Sequence, residues 1–212
     1  SGQFIHKMDN DLTTTDWATT IGAGSGDIEI SPTAFLVSDC YDIFSAGWGG
    51  ATNTSSLATN SSSNGFPLTP DAYQSNTSGN NFYLAVLDRD AQFLKYATYF
   101  GGTTTNNHVD GGTSRFDKKG SIYHAVCASC GPSSNGFTTT PGVWSTTAQS
   151  SNCNLAAFKF DLGIIESAIS VPEPFICIPD PIEFTNDSEN GNSFIWDFGD
   201  GNTSTDFAPS HL

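Results

Sequence analysis

Short apolar runs bounded by Asp, Asn and Gly recur along the chain at a long interval. The run Asn81-Phe82-Tyr83-Leu84-Ala85-Val86-Leu87-Asp88 and the run Phe93-Leu94-Lys95-Tyr96-Ala97-Thr98-Tyr99-Phe100-Gly101-Gly102 read as two β-strands. The polar turn Asp88-Arg89-Asp90 joins them. The same pairing stands earlier as Phe4-Ile5-His6-Lys7-Met8-Asp9 with Trp17-Ala18-Thr19-Thr20-Ile21-Gly22. It stands again later as Ala156-Ala157-Phe158-Lys159-Phe160-Asp161 with Ile164-Ile165-Glu166-Ser167-Ala168-Ile169. An interval of about 75 residues is a whole supersecondary unit, so the chain reads as repeats.

Residues 4–22 form the last hairpin of an incomplete unit. The first full unit runs from Asp27 to Gly102, with strands expected at Thr33–Val37 and Ile43–Trp48, a turn at Asp39–Asp42 and a long polar loop over 49–63. The second runs from Thr103 to Ser170, with a turn at Asp117–Gly120 and a strand at Ile122–Cys127. Both units carry the frame Asn-Gly-Phe-x-x-Thr-Pro, at Asn64–Pro70 and Asn135–Pro141, followed by an aromatic residue, Tyr73 or Trp144. Unequal loops on a constant frame are what a repeat fold tolerates. Four short strands per unit predict an all-β fold of four-stranded antiparallel blades in a partial β-propeller, since radial stacking buries both faces of each sheet. A β-sandwich is the alternative. The proline-bearing stretch Val171-Pro172-Glu173-Pro174 opens a linker over 171–180, and the texture changes again over 181–212.

Composition narrows the function. Seven Lys and Arg stand against 22 Asp and Glu, a formal net charge of −15, which excludes the basic footprint that nucleic acid requires. Only 14% of residues are charged, and the abundance of Thr, Ser, Asn and Gly is the texture of an extracellular β-protein. No run is long and apolar enough for a membrane helix. No signal peptide opens the chain, so the segment is expected to lie inside a longer secreted polypeptide.

Candidate chemistry is sparse. The glycines of Gly22–Gly26 lack the following helix that a dinucleotide loop needs. His6, His108, His124 and His211 are scattered without ligand spacing. Five cysteines leave at least one unpaired within the chain. Cys127-Ala128-Ser129-Cys130 has redox or half-zinc spacing but no second Cys-x-x-Cys, so a disulfide between two of Cys127, Cys130 and Cys153 is expected, with free buried thiols as the alternative. Cys177 is expected to pair outside the chain. Calcium is the best metal candidate: Asp9 and Asp11, and Asp88 and Asp90, place oxygen ligands in equivalent hairpin turns. The alternative is ordinary solvated turns. Trp48, Tyr73, Tyr123 and Trp144 are candidates for stacking on sugar rings, against core packing. No serine–histidine–acid arrangement can be assembled, and no enzymatic activity is expected.

Two resemblances sharpen these expectations. Ile43-Phe44-Ser45-Ala46-Gly47, Gly65-Phe66-Pro67-Leu68-Thr69-Pro70-Asp71-Ala72-Tyr73-Gln74, Phe82–Asp88 and Tyr96-Ala97-Thr98-Tyr99-Phe100-Gly101-Gly102 resemble the SBBP (seven-bladed β-propeller) repeat of secreted bacterial proteins, over residues 4–170. The second copy departs from it: Thr138-Thr139 replaces Pro67-Leu68, and no Gly-Gly follows Ile169. Pro181–Ser188 and Phe194-Ile195-Trp196-Asp197-Phe198-Gly199-Asp200-Gly201 resemble the first half of a PKD domain, an immunoglobulin-like sandwich, over 181–212. Together they imply a cell-surface or secreted protein of Bacteroidota type, exported by the type IX pathway. Its role would be adhesion and spacing, with extracellular polysaccharide or surface proteins as partners. Accessory domains of a secreted hydrolase, or a structural subunit of a surface complex, are the alternatives.

Overall fold

The computed structural model describes residues 2–55, 58–110, 114–131, 136–163, 167–171, 180–188 and 191–212. Among them the fold is all-β: antiparallel sheets, none closed on itself, and one 3-10 turn at Ala51–Asn53. None of their helices is long and apolar enough to cross a membrane. The chain divides into two compact units, Ser1–Leu162 and Gly163–Leu212.

In the first unit β1 (Phe4–Met8) and β2 (Thr15–Thr20) form a hairpin. Then β3 (Ser31–Val37), β4 (Ile43–Trp48), β5 (Phe82–Leu87) and β6 (Leu94–Phe100) form a four-stranded meander in chain order. A second sheet follows from β7 (Asn106–His108), β8 (Ser114–Phe116), β9 (Ser121–Cys130) and β10 (Asn154–Asp161). Here β9 is central, β10 lies on one flank, and the short β7 and β8 share the other.

The two sheets repeat one another residue by residue. Ile43 stands opposite Leu87 and Trp48 opposite Phe82; in the second sheet Ile122 stands opposite Phe160 and Cys127 opposite Leu155. Four hairpins also share one bend, beginning at Asp9, Ser38, Asp88 and Asp117. The amide three residues on (Leu12, Tyr41, Ala91, Gly120) donates to the first carbonyl at 3.1, 2.8, 2.9 and 3.1 Å. That residue has φ of +57°, +66°, +54° and +79° respectively, a type I turn closed by a left-handed residue. An amide beyond the bend then donates to the first side chain: Thr13 to Asp9 Oδ1 at 2.8 Å, Asp42 to Ser38 Oγ at 3.1 Å, Phe93 to Asp88 Oδ1 at 2.6 Å and Ser121 to Asp117 Oδ1 at 3.0 Å. A matching bend was expected after Asp161, but it runs into residues 164–166, outside the described residues.

Strand alternation sends the two faces of the first sheet to different neighbours. Tyr83, Ala85, Ala97 and Tyr99 pack with Ile30 and Phe66, and with the half-buried Ile21 and Leu68, on the side of the first hairpin. On the opposite face Phe44 meets Phe116 at 5.8 Å, Phe82 meets Phe158 at 5.4 Å, and Phe100 meets Phe158 at 4.4 Å, so the second sheet stacks there. His124 is buried in this interface, parallel to the Phe158 ring at 4.8 Å, with Ser114 Oγ 2.9 Å from Nδ1. The far face of the second sheet is open: Leu155 is 85% exposed, whereas Phe82, at the equivalent position, is 0% exposed.

Among the described residues the second unit holds three short ladders. β11 (Ile169–Ser170) pairs with β13 (Thr185–Asn186), β12 (Ile182–Glu183) with β16 (Ser210–His211), and β14 (Trp196–Asp197) with β15 (Thr203–Ser204). A tight turn follows β14: the Gly199 amide donates to Asp197 Oδ1 and the Asn202 amide to Asp200 Oδ1, both at 2.9 Å. Phe184, Trp196, Phe198 and His211 form the aromatic centre.

The division between the units departs from the expected boundary at 170. Residues 164–166, the start of the expected closing strand of the second repeat, lie outside the described residues. Its end, Ile169–Ser170, pairs with Thr185–Asn186 instead. Ala168 makes this choice firm, since its carbonyl accepts the Asp187 amide at 3.0 Å and its amide donates to Ser188 Oγ at 3.1 Å. Most of the expected linker, 172–179, lies outside the described residues.

Candidate functional site

Each Asn-Gly-Phe frame ends by projecting an aromatic ring, and the stacking of the two sheets brings both rings to one place. A groove of about 780 Å³ runs beside β10, lined by Tyr73 and Phe100 from the first repeat and by Phe137, Thr138–Thr140, Trp144, Gln149 and Lys159 from the second. Tyr73 is 57% exposed, yet its ring is seated against Phe100 at 6.0 Å and edge-on to Phe160 at 5.6 Å. Its amide donates to Tyr96 Oη at 3.3 Å, which anchors the backbone. Trp144 is fully exposed. Phe137 forms the floor, edge-on to Phe100 at 5.7 Å. Its counterpart Phe66 is buried in the first sheet's core.

Two of the four expected stacking residues therefore meet in this groove and two do not. Trp48 is buried, its ring 5.7 Å from that of His108, and presents no face to a ligand. Its position alternates toward the side of the first sheet on which the second sheet stacks, and there it is packed in the core. Tyr123 is partly exposed but lies outside the groove: its hydroxyl donates to Asp117 Oδ2 at 3.1 Å and Lys159 Nζ sits 5.7 Å above its ring. Phe137 and the threonines beside it were not singled out by sequence reasoning; the shared Asn-Gly-Phe frame was the available signal.

The four aspartates of the calcium reading lie in two separate bends, Asp9 and Asp11 between β1 and β2, Asp88 and Asp90 between β5 and β6. Asp9 spends both oxygens on its own bend, Oδ1 on the Thr13 amide and Oδ2 on the Thr13 hydroxyl at 3.0 Å. The Thr13 and Thr14 amides hold its carboxyl below the usual range, and the Phe93 amide does the same for Asp88. Asp11 and Asp90 are exposed. Among the described residues, the side chains that converge closely enough to share an ion come from His108, Asp110, Cys127, Cys130 and Cys153, not from these four aspartates. Calcium wants six to eight oxygens, more than the two carboxylates of either bend supply.

Cys130 and Cys153 are joined by a disulfide of 2.08 Å, while Cys127 is a free thiol and Cys40 an exposed one. Burial and the Asp110 carboxylate push the Cys127 thiol up, which keeps it protonated and makes it a weak nucleophile. Cys177 lies outside the described residues. Compared with protein-family models and with curated proteins, the chain matches none.

Proposed function

We propose that this chain is a non-catalytic segment of an exported bacterial surface protein. In this reading the first unit is a run of SBBP-type propeller blades and the second the opening part of a PKD-type sandwich. The pair serves as an adhesion platform and spacer, and the ligand is an extracellular polysaccharide held in the groove beside β10. The observation that carries the reading is that Tyr73 and Trp144, equivalent residues of successive repeats, line one open groove. An aromatic face offers a flat apolar surface to the C–H face of a sugar ring. Threonine hydroxyls and the Gln149 amide line the same groove and supply partners for sugar hydroxyls. A net charge of −15 favours neutral glycans over polyanions. The shared bends, shared register and unidirectional stacking of the two sheets support the blade assignment.

A glycan array probed with the full chain tests the ligand. We expect binding to neutral polysaccharide that falls at least tenfold with Trp144→Ala and is indifferent to a calcium chelator. An array with no binder, or binding untouched by Trp144→Ala, defeats the reading.

One observation favours a second reading, in which the chain is a structural subunit. Strand β5 is flanked by β4 and β6, whereas β10 pairs only with β9 among the described residues. An extended segment of a partner protein would complete that edge by strand addition. Protein capture that survives Trp144→Ala and fails with a proline in β10 distinguishes it.

A further inference from the structure

The pairing of β7 with β9 places His108 directly opposite Cys127, and Asp110 follows just beyond the strand end. Cys127 Sγ donates to Asp110 Oδ2 at 3.1 Å, and His108 Nε2 lies 3.5 Å from Asp110 Oδ1. One nitrogen, one sulfur and one oxygen thus all fall within 4.8 Å of one another. Donors around a tetrahedral zinc-class ion at ordinary bond lengths stand roughly 3.4–3.8 Å apart, which a small readjustment of these side chains would satisfy. We propose that His108, Asp110 and Cys127 form a binding site for a zinc-class divalent cation.

The donor set selects the metal class. Imidazole and thiolate suit zinc and its transition-metal neighbours, whereas calcium and magnesium take oxygen alone. The site is also braced before any ion arrives. His108 Nδ1 faces Cys130 Sγ at 3.5 Å, and Cys130 is fixed by its disulfide to Cys153. The His108 ring rests against Trp48. Support of this kind, on the ring nitrogen that does not bind metal, orients a histidine ligand. Ser129, with φ of +52°, sits in the irregular stretch of the β7–β9 ladder and re-aims the strand between Cys127 and Cys130. That separates Cys127, which keeps its thiol, from Cys130, which is consumed by the disulfide.

Binding is a simple exchange: the Cys127 S–H proton leaves to solvent and the sulfur lone pair bonds the cation, with no change of oxidation state. Three protein donors leave one tetrahedral position for water or for a donor from another molecule. The Asp110 side chain is 75% exposed, so that position is reachable. A second group, His108 with Cys130 and Cys153, lies beside the first, but its sulfurs are held in the disulfide and offer no thiolate.

The test is titration of the full chain, disulfide intact, with Co(II) as a spectroscopic stand-in for zinc. We expect one equivalent to bind with a thiolate-to-cobalt charge-transfer band that Zn(II) abolishes. Cys127→Ser should remove the band, His108→Gln and Asp110→Asn should each weaken binding tenfold or more, and Cys40→Ser and Cys177→Ser should change nothing. No band, a band that survives Cys127→Ser, or one that appears only after the disulfide is reduced overturns the proposal. Mapping of alkylation by iodoacetamide gives a readout on the unaltered sequence. Zn(II) should protect Cys127 several-fold and leave Cys40 unprotected; equal labelling of Cys127 with and without zinc overturns it as well.

Discussion

The two four-stranded sheets of the first unit are built on one plan and end differently. The first has both faces covered, so β5 is buried at five consecutive positions, Phe82 to Val86. The second is covered on one face only, so β10 alternates half-buried and exposed along its whole length. The strand that closes the first sheet, β6, has no counterpart beside β10 among the described residues. The regular sheet is a core element. The second sheet carries β10 beside the groove, the Cys127 thiol and the disulfide. Uncovered strands leave side chains and edges available for other molecules.

The sharpest way to break this comparison is to truncate the same position in both sheets. Phe82 and Leu155 are equivalent by register. Phe82→Ala removes a fully buried ring from the contact with Phe158 and His124 and is expected to cost about 3–5 kcal/mol in urea denaturation. Leu155→Ala should stay within about 0.5 kcal/mol. Similar losses at both sites would mean that the far face of the second sheet is covered in solution.

What was legible in the sequence follows from the same contrast. Local pattern exposed the strands and bends, since Phe82–Leu87 and its relatives are apolar runs closed by Asp, and the bend chemistry is contained within a few residues. Burial of a particular face was not legible, and Trp48 shows why: alternation gives two faces but does not say which one the next sheet will cover. Strand choice between neighbours was not legible either. Ile164–Ile169 has the period of the closing strands, yet Ile169 is claimed by Thr185–Asn186 through contacts made in the second unit. The disulfide was narrowed to three cysteines, and only the fold selects Cys130 and Cys153. His108 and Cys127 are far apart in sequence and share no ligand spacing; their proximity exists only in the register of β7 against β9.

The interface between the sheets can be probed by pH. Burial pushes the His124 imidazole down to about 4 from an ordinary 6.5, and its Nε2 has no hydrogen-bond partner among the described residues. Between those values the unfolded chain binds more protons than the folded one. Stability is therefore whole above pH 6.5, falls as the pH drops toward 4, and loses nothing further from this group below that. The gap corresponds to roughly 3 kcal/mol at most. His124→Phe, which retains a ring against Phe158, should flatten that part of the stability–pH curve. A slope that persists in the variant would assign the acid sensitivity elsewhere.

The smallest effect sharpens the comparison instead of breaking it. Ser38 and Asp117 open equivalent bends, one in each sheet, and each accepts the amide of the residue that follows the left-handed position. If the second sheet keeps the local geometry of the first although no closing strand lies beside β10 among the described residues, Ser38→Ala and the step from Asp117→Ser to Asp117→Ala, which sets aside the Tyr123 hydroxyl that the carboxylate also holds, should each cost about 1 kcal/mol, the value of one turn-capping hydrogen bond. Equal costs place the difference between the sheets in their outer neighbours and not in their hairpins. A loss at Ser38 with none at Asp117 would mean that the second hairpin does not depend on its cap, and the equivalence of the two bends would then hold in shape but not in energy.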